Sequence, residues 1–348
     1  MENEEIRENQ SFLERILSHK AVILIAIGFL IRIFMLIYYY YTHGIDPTRS
    51  WGDVGINFGE KVHYPPLTMI FLDILKFLSF GAIEIFALWS FIFEIVVVLL
   101  FYYVLKSFKI HNMKYFYGLF LINPFLFLNN VFSYENCGYH VTDSLFFIFL
   151  FLALFYYPKE TKYSKYAFFI FITLSAAAKI YTLPIVALFF LKFIVEKDWD
   201  DMKKFLITTL PIILIFLVSP IFYVENYLGI FFDWHEVGEA SFPLIIRVLP
   251  ALAITGVFLV FRLKKADLIE NLFISISITA MFLFFTLPYL RYFQPLLIFG
   301  ILKERNFFTF NLNLGIIKRE IKFDNNLLVF YSSFILVAGA YLIIIFLL

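Results

Sequence analysis

Cysteine is almost missing from this chain: Cys137 is the single one. One thiol excludes an intrachain disulfide and any multi-cysteine metal centre, and beside a hydrophobic segment it reads as a small apolar filler. Charge is nearly as scarce. Asp, Glu, Lys and Arg make up 16% of the 348 residues, against about a quarter in a soluble domain. The net charge of +1 gives no basic character that would point to nucleic acid. No P-loop, His-Glu-x-x-His zinc motif, dinucleotide fingerprint or nucleophile elbow occurs. The polar segment 1–20 lacks the small-residue cleavage site of a signal peptide. No internal repeat or low-complexity linker divides the chain.

What fills the chain instead is apolar. Hydrophobic residues make up 62% and aromatics 22%, and the mean hydropathy is +0.85. The 49 Phe exceed what a water-soluble core of this length could bury. Ala21–Tyr41 and Ile83–Leu105 are longer than the ~18 apolar residues that read as a membrane-crossing helix. With no water to satisfy backbone groups in the hydrocarbon, such spans fold as helices. The expectation is an all-α polytopic membrane protein of about 9–10 transmembrane helices. Segment 1–20 is cytoplasmic, and 21–348 forms one membrane-embedded domain.

Lys and Arg are retained on the cytoplasmic side, so the charge clusters give the sidedness. Arg7, Arg15 and Lys20 hold the N-terminus inside, and the first helix delivers the outer loop 42–63. Lys106, Lys109 and Lys114 mark an inner turn, as do Lys159, Lys162 and Lys165. The same holds for Lys197, Lys203 and Lys204, and for Arg262, Lys264 and Lys265. Between them the spans read as Tyr115–Phe132, Ser144–Tyr157, Tyr166–Ala178, Ile180–Ile194, Phe205–Tyr223, Leu244–Phe261 and Ile269–Leu287. A basic inner stretch, 303–322, precedes the last apolar run, Leu327–Leu348. Parity closes only if one segment does not cross. Tyr64–Phe80, short and carrying Asp73 and Lys76, is expected to be re-entrant or interfacial.

The outer loops then share an acidic, lysine-poor character. Asp46 and Asp53 lie in the first, ahead of His63-Tyr64-Pro65-Pro66. Two carboxylates in one short loop can act as a general base, a metal site or a sugar-hydroxyl clamp, or simply mark a solvated loop. Asn123-Pro124 leads to Glu135-Asn-Cys-Gly-Tyr-His140-Val-Thr-Asp143. There Asp143 is read either as a helix cap or as a functional carboxylate beside the membrane. Ala176-Ala-Ala-Lys179-Ile-Tyr-Thr-Leu-Pro184 places a lysine after small residues. It either snorkels to the interface or meets a carboxylate or phosphate. Later loops add His235, a candidate metal or sugar contact, and Arg247. They also add Arg291, a phosphate-matched fork in a cation-poor turn.

The order of these elements resembles the GT-C superfamily of membrane glycosyltransferases, which take sugar from a polyprenyl- or dolichyl-phosphate carrier. Gly52-Asp53 followed by Tyr64-Pro-Pro-Leu-Thr68 is similar to a pattern of dolichyl-phosphate-glucose-dependent glucosyltransferases. Lys179-Ile-Tyr-x-x-Pro184 looks more like the mannosyltransferase of GPI-anchor assembly and its prokaryotic relatives. The likeness covers about the first 190 residues, apart from the Tyr292-Phe-Gln-Pro295 turn. The resemblance implies a GT-C-like fold with an outward-facing first loop and a catalytic aspartate at Asp53, with Asp46 as competitor. It also implies an outer-turn acid at Asp143 and a membrane-end lysine at Lys179. The substrate-contacting set is then Tyr64, Asp143, Lys179, His235 and Arg291. A divalent cation, Mg or Mn, between Asp46 and Asp53 is the alternative means of neutralising the phosphate. The implied partners are a polyprenyl- or dolichyl-phosphate sugar donor, a glycan, lipid or protein acceptor, and membrane lipids. The rival classes are a transporter or lipid-linked glycan flippase, and a non-catalytic subunit of a glycosylation complex.

Overall fold

The structure, a computed structural model, describes residues 21–34, 37, 65–110, 113–122, 141–161, 163–216, 244–261, 263–284, 302, 306–313 and 318–324. The helices are α1 (residues 21–34), α2 (Pro66–Leu78), α3 (Ile83–Ser107), α4 (Met113–Ile122) and α5 (Val141–Tyr156). They continue with α6 (Ser164–Ala178), a 3₁₀ turn (Ile180–Thr182), α7 (Leu183–Glu196), α8 (Trp199–Phe216), α9 (Leu244–Phe261) and α10 (Leu268–Phe284). The described body is therefore helical, as expected. A two-stranded hairpin of β1 (Asn306–Asn313) and β2 (Lys318–Asp324) is added in the basic stretch, where the sequence reading placed no element.

Helix ends follow local chemistry. Lys109 and Lys197 take left-handed φ values of 53° and 57°, closing α3 and α7. The Ile110 and Asp198 amides there donate back to Leu105 and Phe193, which satisfies carbonyls that a helix end leaves open. Asp198 and Asp267 cap the next helices, with Oδ1 accepting from the amides of Asp201 and Glu270. That cap explains why α8 begins at Trp199, six residues before the apolar run starting at Phe205.

Aromatic rings set the helix directions. Phe149 stacks on Phe171 and Tyr157 meets Phe168, so α5 and α6 run antiparallel. Phe169 touches Phe189, Phe193 and Phe205 edge-on, at centroid distances of 6.3, 6.0 and 5.3 Å. These contacts lock α6, α7 and α8 into consecutive antiparallel passes. Phe101 packs on both Phe120 and Phe151, joining α3, α4 and α5. Much of the phenylalanine excess is thus spent on helix-to-helix seams, where offset rings contribute beyond their buried area.

The basic turns gather at one end. Phe108 stacks on Tyr157, and Lys192 Nζ donates to the Ala266 carbonyl at 3.0 Å. Turns 108–113, 157–163, 197–198 and 262–267 therefore share an end, with the opposite ends of α5 and α6 on the other side. At the basic end Asp201 accepts from Lys165 (2.5 Å) and Lys204 (2.8 Å). Burial alone would raise the Asp201 carboxyl, but the two lysines outweigh it and hold its pKa below the ordinary 3.8. A depressed carboxylate stabilises the fold above its unfolded pKa and ceases to do so as pH falls through the folded value. Asp201→Asn should therefore melt lower than wild type at neutral pH, by the modest amount typical of partly exposed pairs. The gap between the two melting curves should close below pH 4 or so.

α2 does not run the length of the body. Phe71 meets Phe93 edge-on at 5.0 Å, so α2 doubles back on the first half of α3. The turn between them puts Phe80 and Gly81 at positive φ, 51° and 74°. At 13 residues α2 spans about 20 Å, short of a hydrocarbon core of about 30 Å.

Among the described residues, no helix is long and apolar enough to cross a membrane. α3, at 25 residues, is the longest, and it carries Glu84, Glu94 and Lys106. Even so, large apolar side chains lie bare along α1, α8 and α9. Leu30 is 64% exposed and Val260 74%. Such faces extend far beyond the scattered apolar residues normal on a soluble surface.

α1 and α4 approach through glycine. A Cβ on Gly28 would sit 2.4 Å from the Leu121 Cβ, and one on Gly118 would sit 2.7 Å from the Leu24 Cβ. Neither neighbour is a flexible side-chain tip, so the helices themselves must part. Gly28→Ala should cost about 1–3 kcal/mol, read as an earlier thermal unfolding of the detergent-solubilised chain. An unchanged midpoint would show that α1 and α4 are not held this close.

Candidate functional site

Pro65 and Pro66 start α2 where a helix tolerates missing amide donors. One turn in, Thr68 Oγ1 donates to the Ala178 carbonyl at 2.6 Å. Ala178 is the last residue of α6, and Ala176, Ala177 and Ala178 are all fully buried. Only side chains this small let the helix end close against α2 and α5. Thr68 therefore satisfies one of the carbonyls left open by the helix terminus.

Lys179 then leaves the helix in an extended conformation, φ −146° and ψ 144°. The 3₁₀ turn follows, and Pro184 sits in the first turn of α7. Ser175 and Thr182 bridge the break with a hydroxyl–hydroxyl bond of 2.8 Å. Lys179 Nζ donates to Asp143 Oδ1, and the two side chains are only 12% and 13% exposed. The ammonium also lies 5.7 Å from the Tyr181 ring, which packs edge-on against Phe146 at 5.2 Å. Lys179 is thus held by a carboxylate instead of snorkelling to an interface.

Asp143 stands in the first turn of α5, where the helix dipole favours a carboxylate. It is the third described residue of that helix, not a flanking cap, and its position is explained by the pair with Lys179. Val141, two residues before it, packs into an apolar cluster with Met69, Leu72, Leu75 and Phe86. Trp89 Nε1 and Thr142 Oγ1 are buried there without a hydrogen-bond partner among the described residues. Each such donor is costly unless something completes it.

A second charged pair escaped the sequence reading. Arg32 of α1 is 1% exposed, and its Nε donates to Glu94 Oε1 of α3 at 3.2 Å. Its Nη1 donates to the Leu121 carbonyl at 2.5 Å and to the Gly28 carbonyl at 3.3 Å. Because Phe101 faces Phe151, counting back along parallel α3 and α5 puts Glu94 and Asp143 at the same height. Both ion pairs therefore lie near one level, at the far end of α5 and about midway along α3. The available signal was one arginine in the apolar run 21–41 and a glutamate near the middle of 83–105. Opposite charges isolated in two apolar runs are expected to meet.

The structure thus joins three separately read segments: the Pro65–Thr68 start of α2, Asp143, and Lys179 with Tyr181. Asp46, Asp53, Tyr64, His235 and Arg291 lie outside the described residues. Among the described residues, no three His, Cys, Asp or Glu side chains come together as a metal site. The Asp46–Asp53 cation alternative also falls outside them. The chain matches no family model, no curated protein and no solved structure.

Proposed function

We propose that the chain is an inverting, multi-pass membrane glycosyltransferase that uses a polyprenyl-phosphate-linked sugar at the outer face of the cytoplasmic membrane. The observation that carries this is the convergence of Thr68, Lys179 and Asp143 at the end opposite the basic turns. Retention of Lys and Arg on the cytoplasmic side makes that end the outer one. Bare apolar faces on α1, α8 and α9 support a lipid-facing belt.

In the reaction, the acceptor hydroxyl oxygen attacks the anomeric carbon while its proton passes to Asp53, with Asp46 the alternative base. The bond from that carbon to the carrier phosphate oxygen breaks, and its electron pair leaves with the phosphate. Lys179 and Arg291 are assigned to the phosphate charge. The bond to Asp143 fixes where the Lys179 ammonium stands. Tyr64 and His235 are assigned to the sugar. A transporter or flippase would spread charged groups through the bilayer depth, whereas the two buried pairs lie at one level.

The test is incubation of the purified chain with a panel of polyprenyl-phosphate sugars. Asp53→Asn should lower transfer by about 100- to 10,000-fold if it is the base. Full activity of both Asp53→Asn and Asp46→Asn, or labelling that puts Ser50 in the cytoplasm, would refute the assignment.

A further inference from the structure

The hairpin at 306–324 has a sidedness that its register alone defines. Phe308 pairs with Phe323, Phe310 with Ile321, and Leu312 with Arg319. Directly paired residues of an antiparallel ladder share a face, so one face carries five apolar residues and ends in an arginine. The alternate pairs, Thr309 with Lys322, Asn311 with Glu320 and Asn313 with Lys318, are polar, and Phe307 stands unpaired at the register shift beside Asn306. Two strands alone are marginal in water and need an apolar partner. Yet β1 and β2 pair with each other and pack extensively on none of the described helices.

We infer that this hairpin lies flat on the membrane, its apolar face in the acyl boundary and its basic residues among anionic headgroups. Three observations favour a lipid occupant. The pairing of Asn306 with Asp324 brings the two ends of the hairpin together. On either side of that base the sequence is apolar, with Leu296–Leu302 before it and the uncharged Leu327–Leu348 after it. The base thus adjoins an apolar run of sequence on each side. Lys303, Arg305, Lys318, Arg319 and Lys322 outnumber Glu304, Glu320 and Asp324, which suits the anionic cytoplasmic leaflet. The inference rests on the multi-pass membrane reading above, but it concerns the basic stretch 303–322 and does not depend on the chemistry at the candidate site.

The full chain carrying Cys137→Ser is given one new cysteine at a time: Phe310→Cys, Ile321→Cys, Asn311→Cys or Leu252→Cys. Each is labelled with an environment-sensitive thiol dye. The protein is reconstituted in phosphatidylcholine vesicles with or without phosphatidylglycerol, together with spin-labelled lipids. Leu252, 58% exposed on α9, reports on the membrane reading itself. The expected result is lipid quenching at 252, 310 and 321 and little at 311. Phosphatidylglycerol should strengthen quenching at 310 and 321, and Lys318→Gln with Lys322→Gln should weaken it. Quenching at 252 without it at 310 and 321 overturns the inference and leaves the membrane reading standing. No quenching at 252 overturns both. A dye at 310 that is blue-shifted but untouched by lipid means that the chain's own helices cover the face. Energy transfer between labelled copies at 310 means that a second copy covers it. Either result rejects the lipid occupant.

Discussion

Asp143→Ala should destabilise the chain by about 3–5 kcal/mol and abolish sugar transfer. The substitution takes the Asp143 carboxylate away from the Lys179 ammonium, which is only 12% exposed. Loss of the counter-charge beside a buried cation, more than the lost attraction, dominates that cost. The pair itself is not the source of stability, because two charges removed from water roughly repay their own desolvation. A double variant, Asp143→Leu with Lys179→Met, should therefore recover most of the unfolding midpoint in detergent. It should not recover transfer if, as proposed, the reaction uses the Lys179 cation. Recovery of both properties would reduce the pair to a structural strut. Loss of transfer with restored stability would separate chemistry from folding. Thr68→Ala should act in the same direction more weakly, since it removes one bond to the Ala178 carbonyl. Thr68→Ser keeps the hydroxyl and should restore activity.

Arg32→Met should be as damaging to stability, again about 3–5 kcal/mol, by a different route. It strands Glu94, 13% exposed, and removes the donors from the Leu121 and Gly28 carbonyls. Those carbonyls sit beside the closest approach of α1 to α4, so the register of α1 should loosen. Arg32→Lys should rescue only in part. A single ammonium cannot reproduce a planar fork that reaches a carboxylate on α3 and a carbonyl on α4 together. Glu94→Gln keeps an oxygen to accept from Arg32 Nε but removes the counter-charge of the buried guanidinium, and it should be milder than Arg32→Met because the carbonyl partners of Nη1 remain. The three unfolding midpoints should therefore rank Arg32→Met lowest and Glu94→Gln highest. An Arg32→Lys chain as stable as wild type would contradict the fork. Since α1 precedes Asp46 and Asp53 in the chain, a slipped α1 should lower the proposed transfer as well as stability.

Much of the helical plan was legible in the run of apolar residues. Leu244–Phe261 matches α9 at both ends, and Ile83–Leu105 lies within α3. Boundaries moved where short polar residues took over, as at Asp198 ahead of α8. Hydropathy does not register a cap, because a cap is a backbone hydrogen bond and not an apolar surface. The hairpin was missed because Asn306–Asn313 and Lys318–Asp324 alternate apolar with polar. Period-two patterning next to long helical runs is easily read as a charged linker.

The sequence by itself determined that the chain is helical and apolar. It also marked Asp143, Lys179 and the Pro65-Pro66 start of α2 as exceptions to that apolar rule. Those conclusions need only transfer free energies and the spacing of charges. Which exceptions meet was decided by tertiary structure. Asp143 and Lys179 are 36 residues apart, and Thr68 lies 110 residues from Ala178. Only the antiparallel packing of α5 on α6, with α2 folded back on α3, brings them to one end. The Arg32–Glu94 pair follows the same logic. Neither charge stands out alone in its apolar run, and only the glycine-mediated approach of α1 and α4 makes them part of a bonded network.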